Sequence, residues 1–443
     1  MVGEVFLRLA VTRRSGCAGA GIVRRNPAPP GSPPGSVGGA SRLRPQVRGY
    51  TAGPAIPASC TTEKKRVPPS LLRLPGISRQ RFLREYWQRK PLLLRGAIEG
   101  FGPLLDRREL FELALQDDVE ARVVRHDAAR WEVRHAPLAR RDLPAVRTPQ
   151  WTLLVQGVDL HHDGVAALLQ RFRFVPDARL DDIMISWASD GGGVGPHVDD
   201  YDVFLLQAQG RRRWRIGAVK QPRMQPGQPL KLLQGFVAEQ EFVVEPGDVL
   251  YLPPGWGHDG IAQGECMTYS VGFRAPPADE LLRQLLWKMA DELAPGPRYS
   301  DRGKVATATA AHPARLPDDM VRFVADAFGR LRPRRQDFTR ALGELLTEPK
   351  QEVVFEPGPL AGLSRRVARK GLRLDRRSRM LWAAAGVMIN GECVPHEMAR
   401  SPLLRRLADA RELDAAQCSG ADAAQRELLL QWCRLGWAHP AED

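Results

Sequence analysis

Between Asp182 and Phe273 the chain falls into six short runs rich in β-branched and aromatic residues: Asp182–Trp187, Tyr201–Gln207, Arg213–Ile216, Glu241–Val244, Val249–Leu252 and Thr268–Phe273. Gly and Pro punctuate the gaps between them. Runs this short, separated by turn residues, predict strands of a sandwich or barrel rather than helices. The expected architecture is a double-stranded β-helix with helices on its outside.

The flanks have a different period. Ser78 is a plausible N-cap for a helix over Arg79–Arg89, with Phe82, Tyr86 and Trp87 at helical spacing. Phe101 to Leu115 predicts a second amphipathic helix, and Gly164–Phe172 a third, with Asp163 as its N-cap. Short strands are expected at Arg122–Arg125, Trp131–Arg134 and Trp151–Leu154. After Arg274 the pattern becomes helical, at Ala278–Leu293, Asp318–Leu331 and Arg334–Thr347, the last with an apolar stripe of Phe338, Leu342, Leu345 and Leu346. From about Val354 a smaller unit begins. It is expected to hold two basic strands, Leu363–Ala368 and Ser378–Ala384, a turn at Asn390-Gly391, and helices at Leu403–Ala410 and Ala423–Leu435. This mix predicts a winged-helix-like fold. The expected division is a disordered basic extension over 1–70, a catalytic domain over 71–275, a helical dimerisation segment over 276–353 and the small C-terminal domain over 354–443.

The chemistry is concentrated in Gly191-Gly192-Gly193-Val194-Gly195-Pro196-His197-Val198-Asp199. Side chains alternate along a strand, so a His-x-Asp pair puts both on one face. A third ligand has to come from another strand. His258 lies 61 residues after His197 and follows Glu245-Pro246-Gly247-Asp248, a strand–turn–strand signature ending in Pro253-Pro254-Gly255-Trp256-Gly257. Two His and one carboxylate on one face of an octahedron leave positions open, which suits non-haem Fe(II) and O₂ chemistry. His161-His162-Asp163 also has metal-ligand composition, but its place before a helix favours a capping role.

Composition bounds the rest. The net charge of +14 is uneven: residues 1–70 carry eleven basic residues against two acidic, so most of the basicity belongs to the N-terminal stretch. That stretch is rich in Gly, Pro, Ala, Ser and Arg and cannot bury enough apolar surface to fold. It reads as a start assigned too far upstream, as a flexible extension, or as an Arg-rich transit peptide. No run reaches the ~18 apolar residues of a membrane helix. The six cysteines, Cys17, Cys60, Cys266, Cys393, Cys418 and Cys433, form no C-x-x-C pair and are expected to be reduced thiols of a cytosolic protein.

The stretches Asp182–Ser186, Gly192–Tyr201 with Asp202-Val203-Phe204, Gly210-Arg211-Arg212-Arg213-Trp214-Arg215-Ile216-Gly217, Glu245–Pro254 and Tyr269–Ala275 resemble the bacterial branch of the JmjC/cupin oxygenases. In particular they are similar to the ribosomal oxygenases that hydroxylate an arginine of a large-subunit ribosomal protein. The resemblance covers Leu71 to the C-terminus, with the helical segment and the small C-terminal unit in the same order. It implies that His197, Asp199 and His258 hold Fe(II), that Arg212 pairs with the distal carboxylate of 2-oxoglutarate, and that Ser186 assists it. A guanidinium suits that task because it grips a carboxylate with two parallel hydrogen bonds. Slipping the strand by one residue would hand the role to Arg211 or Arg213.

The resemblance further implies 2-oxoglutarate and O₂ as cosubstrates, 3-hydroxylation of an arginine on ribosomal protein sixteen of the large subunit, a homodimer, no membrane, and contact with nucleic acid only through the ribosome, in the cytoplasm. Asp190, Asp200, Tyr201, Asp202 and Asp259 lie close in sequence to the ligands and could meet a substrate guanidinium. Asp200 stands where relatives often have Gln. Two other readings compete: a histidyl hydroxylase or lysine demethylase of the same fold, and a non-enzymatic cupin that serves as a binding module.

Overall fold

The computed structural model describes residues 77–441 apart from 128–129, 292, 301, 303–313 and 331–333. The chain divides between Lys64 and Lys65, and every described residue lies in the unit that begins at Lys65. The basic extension expected over 1–70 falls outside the described residues.

The β part is built from β1 (Leu92–Leu94), β2 (Ala121–His126), β3 (Trp131–His135), β4 (Trp151–Val155), β5 (Leu180–Ala188), β6 (His197–Val198), β7 (Val203–Ala218), β8 (Gln240–Val244), β9 (Val249–Leu252) and β10 (Trp256–Phe273). Hydrogen bonding runs β1-β9-β7-β10-β5-β4-β2-β3, with β6 added on β10 and β8 on β7.

Two expected strands, Tyr201–Gln207 and Arg213–Ile216, are one. β7 continues from Val203 to Ala218, and Tyr201 precedes it. Thr268–Phe273 is likewise only the end of β10. The glycines between these runs mark a bend instead of a chain reversal. Register slips between Gln263 and Met267 of β10, opposite Gln209. At the bend Gly210 has φ +64°, and a Cβ there would stand 2.1 Å from the Glu265 carbonyl oxygen. Only glycine allows the two strands to bend past each other this closely. β8 and β9 return antiparallel along β7, and Trp214, Ile216 and Val244 pack with Val203, Leu205, Leu250 and Leu252. The double-stranded β-helix expected from the sequence is present.

The outer face of the larger sheet carries the main core. Alternate residues Ile183, Ile185, Trp187, Met267, Tyr269 and Val271 bury against Phe82, Leu110, Leu168 and Phe172 from the surrounding helices. Those helices are shorter than the periodicity predicts: Arg79–Glu85, Arg107–Leu113 and Asp163–Leu169. The Ser78 side chain caps the first as expected. Asp163 does not cap the third. His162 Nδ1 accepts the Val165 N–H, while Asp163 sits in the first turn and receives Arg376. An imidazole nitrogen reaches the free amide one position earlier, and the carboxylate then serves the positive end of the helix.

After β10 come helices Ala278–Asp291, Asp318–Arg330 and Arg335–Thr347. The stripe expected on the third is only half covered. Phe338 is exposed and Leu342, Leu345 and Leu346 are partly buried, whereas Ala341, Gly343, Glu344 and Thr347 bury. That face is chosen by the partner: the Met388 side chain packs directly against Gly343.

The C-terminal unit has two three-stranded sheets. One joins β11 (Leu372–Leu374), β15 (Glu412–Leu413) and β16 (Ala438–Pro440). The other joins β12 (Met380–Ala383), β13 (Gly386–Ile389) and β14 (Glu392–Cys393), with Asn390-Gly391 as the turn between the last two. Helices Leu363–Lys370, Pro402–Ala410, Ala415–Ser419 and Ala423–Arg434 pack around them. Leu363–Ala368, expected as a basic strand, is a helix. Leu363 and Val367, four apart, bury together while Arg365 and Arg369 face outward, so the i,i+4 pair overrides the apparent alternation.

Polar contacts tie this unit and the segment just before it to the β part. Lys350 bonds Asp182 and lies 3.4 Å from Asp181. Arg376 and Arg377 donate to the Leu160 carbonyl at 2.8 and 3.1 Å. Arg173 reaches back to the Ala408 and Asp409 carbonyls.

Candidate active site

His197 ends the glycine-rich segment on β6 and pairs directly with His258 on β10. Asp199 follows β6 immediately. Donor atoms of the three side chains lie within 4.8 Å of one another. Among the described residues no other set of three His, Cys, Asp or Glu side chains comes together this way. His258 Nε2 is 3.6 Å from Asp199 Oδ2, and the two imidazole centroids are 4.1 Å apart.

Both rings are oriented by the backbone. His197 Nδ1 donates to the Gly195 carbonyl at 2.9 Å, and His258 Nδ1 to the Trp256 carbonyl at 3.0 Å. Each Nε2 is therefore left with a lone pair directed at the cluster. Burial, and then the neighbouring His197, push the His258 imidazole down to about 4, so it is neutral and able to ligate at physiological pH. The local sequence explains the close approach. A Cβ on Gly193 would stand 2.6 Å from the Gly260 carbonyl oxygen, and one on Gly260 would meet the Trp214 ring at 2.5 Å.

The inner wall holds the other expected residues. Along β7, Arg211 is exposed and Arg213 faces Glu241, whereas Arg212 is 4% exposed and points inward with Trp214. The Arg212 guanidinium lies 5.7 Å from the centre of the Trp214 ring, and its Nε and Nη2 have no hydrogen-bond partner. A buried guanidinium with unmet donors is costly unless an anion completes it. This is the arrangement a carboxylate ligand fits. Ser186 is buried on β5 and its hydroxyl donates weakly to the Thr268 carbonyl at 3.4 Å, which leaves it free to turn. The two-His, one-carboxylate donor set and the unpaired Arg212 together fit a divalent iron with an oxo-dicarboxylate.

The acidic residues near the ligands separate into different roles. Asp202 is fully buried and accepts from Gln88, Arg179 and the Tyr251 hydroxyl, the last at 2.6 Å, so it is structural. Asp190 accepts the Gly264 N–H at 2.7 Å as a turn cap. Asp259 is buried 3.7 Å from Arg215. Asp200 is exposed, and Tyr201 is partly buried against the inner core.

Arg122 and Trp214 had no assigned role in the sequence reading. Both side chains face the interior, and both carry a buried nitrogen without a partner. The one signal for Arg122 is its alternation with Ala121 and Val123, which bury in the outer core.

Comparison with known proteins agrees with this geometry. Residues 167–281 match the JmjC domain family, and residues 330–439 match the ROXA-like winged helix. The chain is 38% identical over 278 residues to the Ribosomal protein uL16 3-hydroxylase of Escherichia coli, covering 62% of this chain and 73% of that protein. A solved structure of E. coli YcfD superposes with a TM-score of 0.70 at 32% identity, covering 83% of this chain and 98% of that one. Another, of the ribosomal oxygenase YcfD in complex with cobalt and 2-oxoglutarate, gives 0.66 at 31% identity, with 83% and 98% covered. The chain belongs to the JmjC-domain ribosomal oxygenase family.

Proposed function

We propose that the chain is an Fe(II)- and 2-oxoglutarate-dependent oxygenase that hydroxylates C3 of an arginine side chain in the large-subunit ribosomal protein uL16. The observation that carries the reading is the pairing of the His197–Asp199–His258 cluster with the buried, unpartnered Arg212. The relative named as a uL16 3-hydroxylase supports the substrate. The competing demethylase, histidyl hydroxylase and non-enzymatic readings have no comparable support.

In this reading His197, Asp199 and His258 hold the iron, and Arg212 grips the distal carboxylate of 2-oxoglutarate with Ser186 beside it. Iron(II) with 2-oxoglutarate and O₂ supplies the oxidising power that converts a C–H to a C–OH, with succinate and carbon dioxide as coproducts. The protein's own work is positional. Backbone carbonyls of Gly195 and Trp256 fix the two imidazoles, and Trp214 walls the cluster beside His258 at 5.8 Å between ring centres.

The residue ranges proposed for the chain are a catalytic domain over 71–275, a helical segment over 276–353 and a winged-helix-like domain over 354–443. We assign the helical segment to homodimer formation. Leu286, Trp287, Val324 and Phe328 are exposed apolar residues on its described helices that a second copy would cover. No helix among the described residues is long and apolar enough to cross a membrane. Action on a ribosomal protein fits a cytoplasmic location, with nucleic acid met only through the ribosome.

Succinate release tests the enzyme class. Purified chain supplied with Fe(II), 2-oxoglutarate and O₂ is expected to form succinate faster when a uL16 peptide is added. Equal rates with and without peptide would contradict the substrate, and no succinate would contradict the enzyme.

A further inference from the structure

We propose that Arg122 is a second arginine for the dicarboxylate cosubstrate, bonding its metal-side end while Arg212 takes the far end. The inference rests on the reading of His197, Asp199, His258 and Arg212 given above. On β2, Ala121 and Val123 bury in the outer core, so Arg122 and Val124 face inward. Cross-strand pairing puts Arg122 beside Leu154, Leu154 beside Ser186, and Ser186 beside Thr268. Arg122 therefore shares a row with the serine expected to assist the cosubstrate, two strands away.

The side chain is 7% exposed. Its Nε is buried without a partner, its Nη2 finds only the Met184 sulfur at 3.8 Å, and it makes no ion pair among the described residues. The nearby carboxylates are otherwise placed. Glu120 is exposed, Asp182 is held by Lys350 and Gln156, and Asp199 turns to His258. On the next inward row Val124 pairs with Thr152, whose hydroxyl donates to the Gly193 carbonyl at 3.3 Å in the segment that leads to His197, which sets Arg122 toward the metal side of the interior. A substrate arginine cannot be its partner, because like charges repel. What is missing is an anion, and the interior holds two buried arginines with unmet donors for a ligand with two carboxylates.

Calorimetry on the Co(II)-loaded protein separates the possibilities, using wild type, Arg122→Met, Arg122→Lys and Arg212→Met. The probes are Co(II) alone, 2-oxoglutarate, and 2-oxobutyrate, which keeps the keto acid but lacks the distal carboxylate. Arg122→Met is expected to bind Co(II) like wild type and to weaken both keto acids by about tenfold or more, as for one lost charge-assisted hydrogen bond. Arg122→Lys is expected to recover part of that loss. Arg212→Met should weaken 2-oxoglutarate and leave 2-oxobutyrate unchanged.

Affinity for 2-oxoglutarate within about twofold of wild type in Arg122→Met would overturn the proposal. So would a parallel loss of Co(II), which would give Arg122 to Asp199 instead, or a loss confined to 2-oxoglutarate, which would move it to the distal end. If Arg122→Met does not fold, Arg122→Lys carries the test: wild-type affinity for both keto acids would overturn the proposal. Failure of the wild type to bind either Co(II) or 2-oxoglutarate would instead reject the underlying site, and this proposal with it.

Discussion

The Arg212 guanidinium rests 5.7 Å from the centre of the Trp214 ring, with two of its buried nitrogens unpaired. The ring holds the cation in place before any ligand arrives, which lowers the ordering cost of binding. Arg212→Lys keeps the charge but loses the planar fork. It is expected to raise the Kd for 2-oxoglutarate by roughly 10- to 100-fold while metal affinity stays unchanged. Titration of the metal-loaded variant measures this, and an unaltered Kd would remove Arg212 from the cosubstrate site.

Gly260 is the close neighbour of that ring. A methyl group there would stand 2.5 Å from Trp214 carbons. Gly260→Ala is expected to displace the indole and to cost about 1–3 kcal/mol of stability by overpacking. Thermal unfolding of the variant checks the cost, and the near-ultraviolet circular dichroism of the indole checks the displacement.

Lys350, just after the helix Arg335–Thr347, joins that segment to the start of β5, bonding Asp182 and lying 3.4 Å from Asp181. Removing it would leave two buried carboxylates facing Asp159 with less compensation. Lys350→Met is expected to lower stability by about 3 kcal/mol, the cost of breaking a buried pair. A denaturant midpoint equal to wild type would show that Arg274 and Arg379 carry the charge balance alone.

The same cluster gives a pH dependence. Burial first, and then the neighbouring Asp182, push the Asp159 carboxyl from 3.8 up to about 7. Between those values the unfolded chain has released a proton that the folded chain keeps. Asp159 therefore contributes most stability at low pH and loses it as pH rises toward 7. Asp159→Asn keeps an oxygen for the Ile183 N–H, which Asp159 Oδ1 accepts at 2.8 Å. The variant should melt above wild type at about pH 8 and close to it at about pH 4. A constant difference across that range would contradict the raised value.

How much of this was legible in the sequence depended on the range of each interaction. His197, Asp199 and His258 could be found because each sits in a local frame of glycine, proline and strand residues that fixes its direction. Arg212 was singled out by the resemblance, since alternation alone left Arg211 and Arg213 open; β7 turns Arg212 inward with Trp214. Leu363–Ala368 was misread because a run of basic residues hides a two-residue apolar pair, Leu363 and Val367, that only the packed partner reveals. The capping role expected of Asp163 went to His162, whose Nδ1 accepts the Val165 N–H because the helix begins one residue earlier, at Asp163 itself. Arg122 had no local sign beyond its alternation with the apolar residues Ala121 and Val123. Its interest comes from the strands that enclose it, and those are brought together by pairings far apart in the chain.

The apolar face of the helical segment bears on assembly. With Phe328 71% and Trp287 65% exposed, a homodimer would cover what a monomer leaves wet. Phe328→Asp is expected to shift the sedimentation profile from dimer to monomer, and a wild-type profile that is already monomeric would contradict the assignment.

The central claim is most directly tested by peptide mass spectrometry. A uL16 peptide is incubated with the chain, Fe(II), 2-oxoglutarate and O₂, beside an Asp199→Ala control. The account predicts a gain of one oxygen on an arginine with the intact chain and none with the control. An unmodified peptide in both, with metal and 2-oxoglutarate bound, would contradict it.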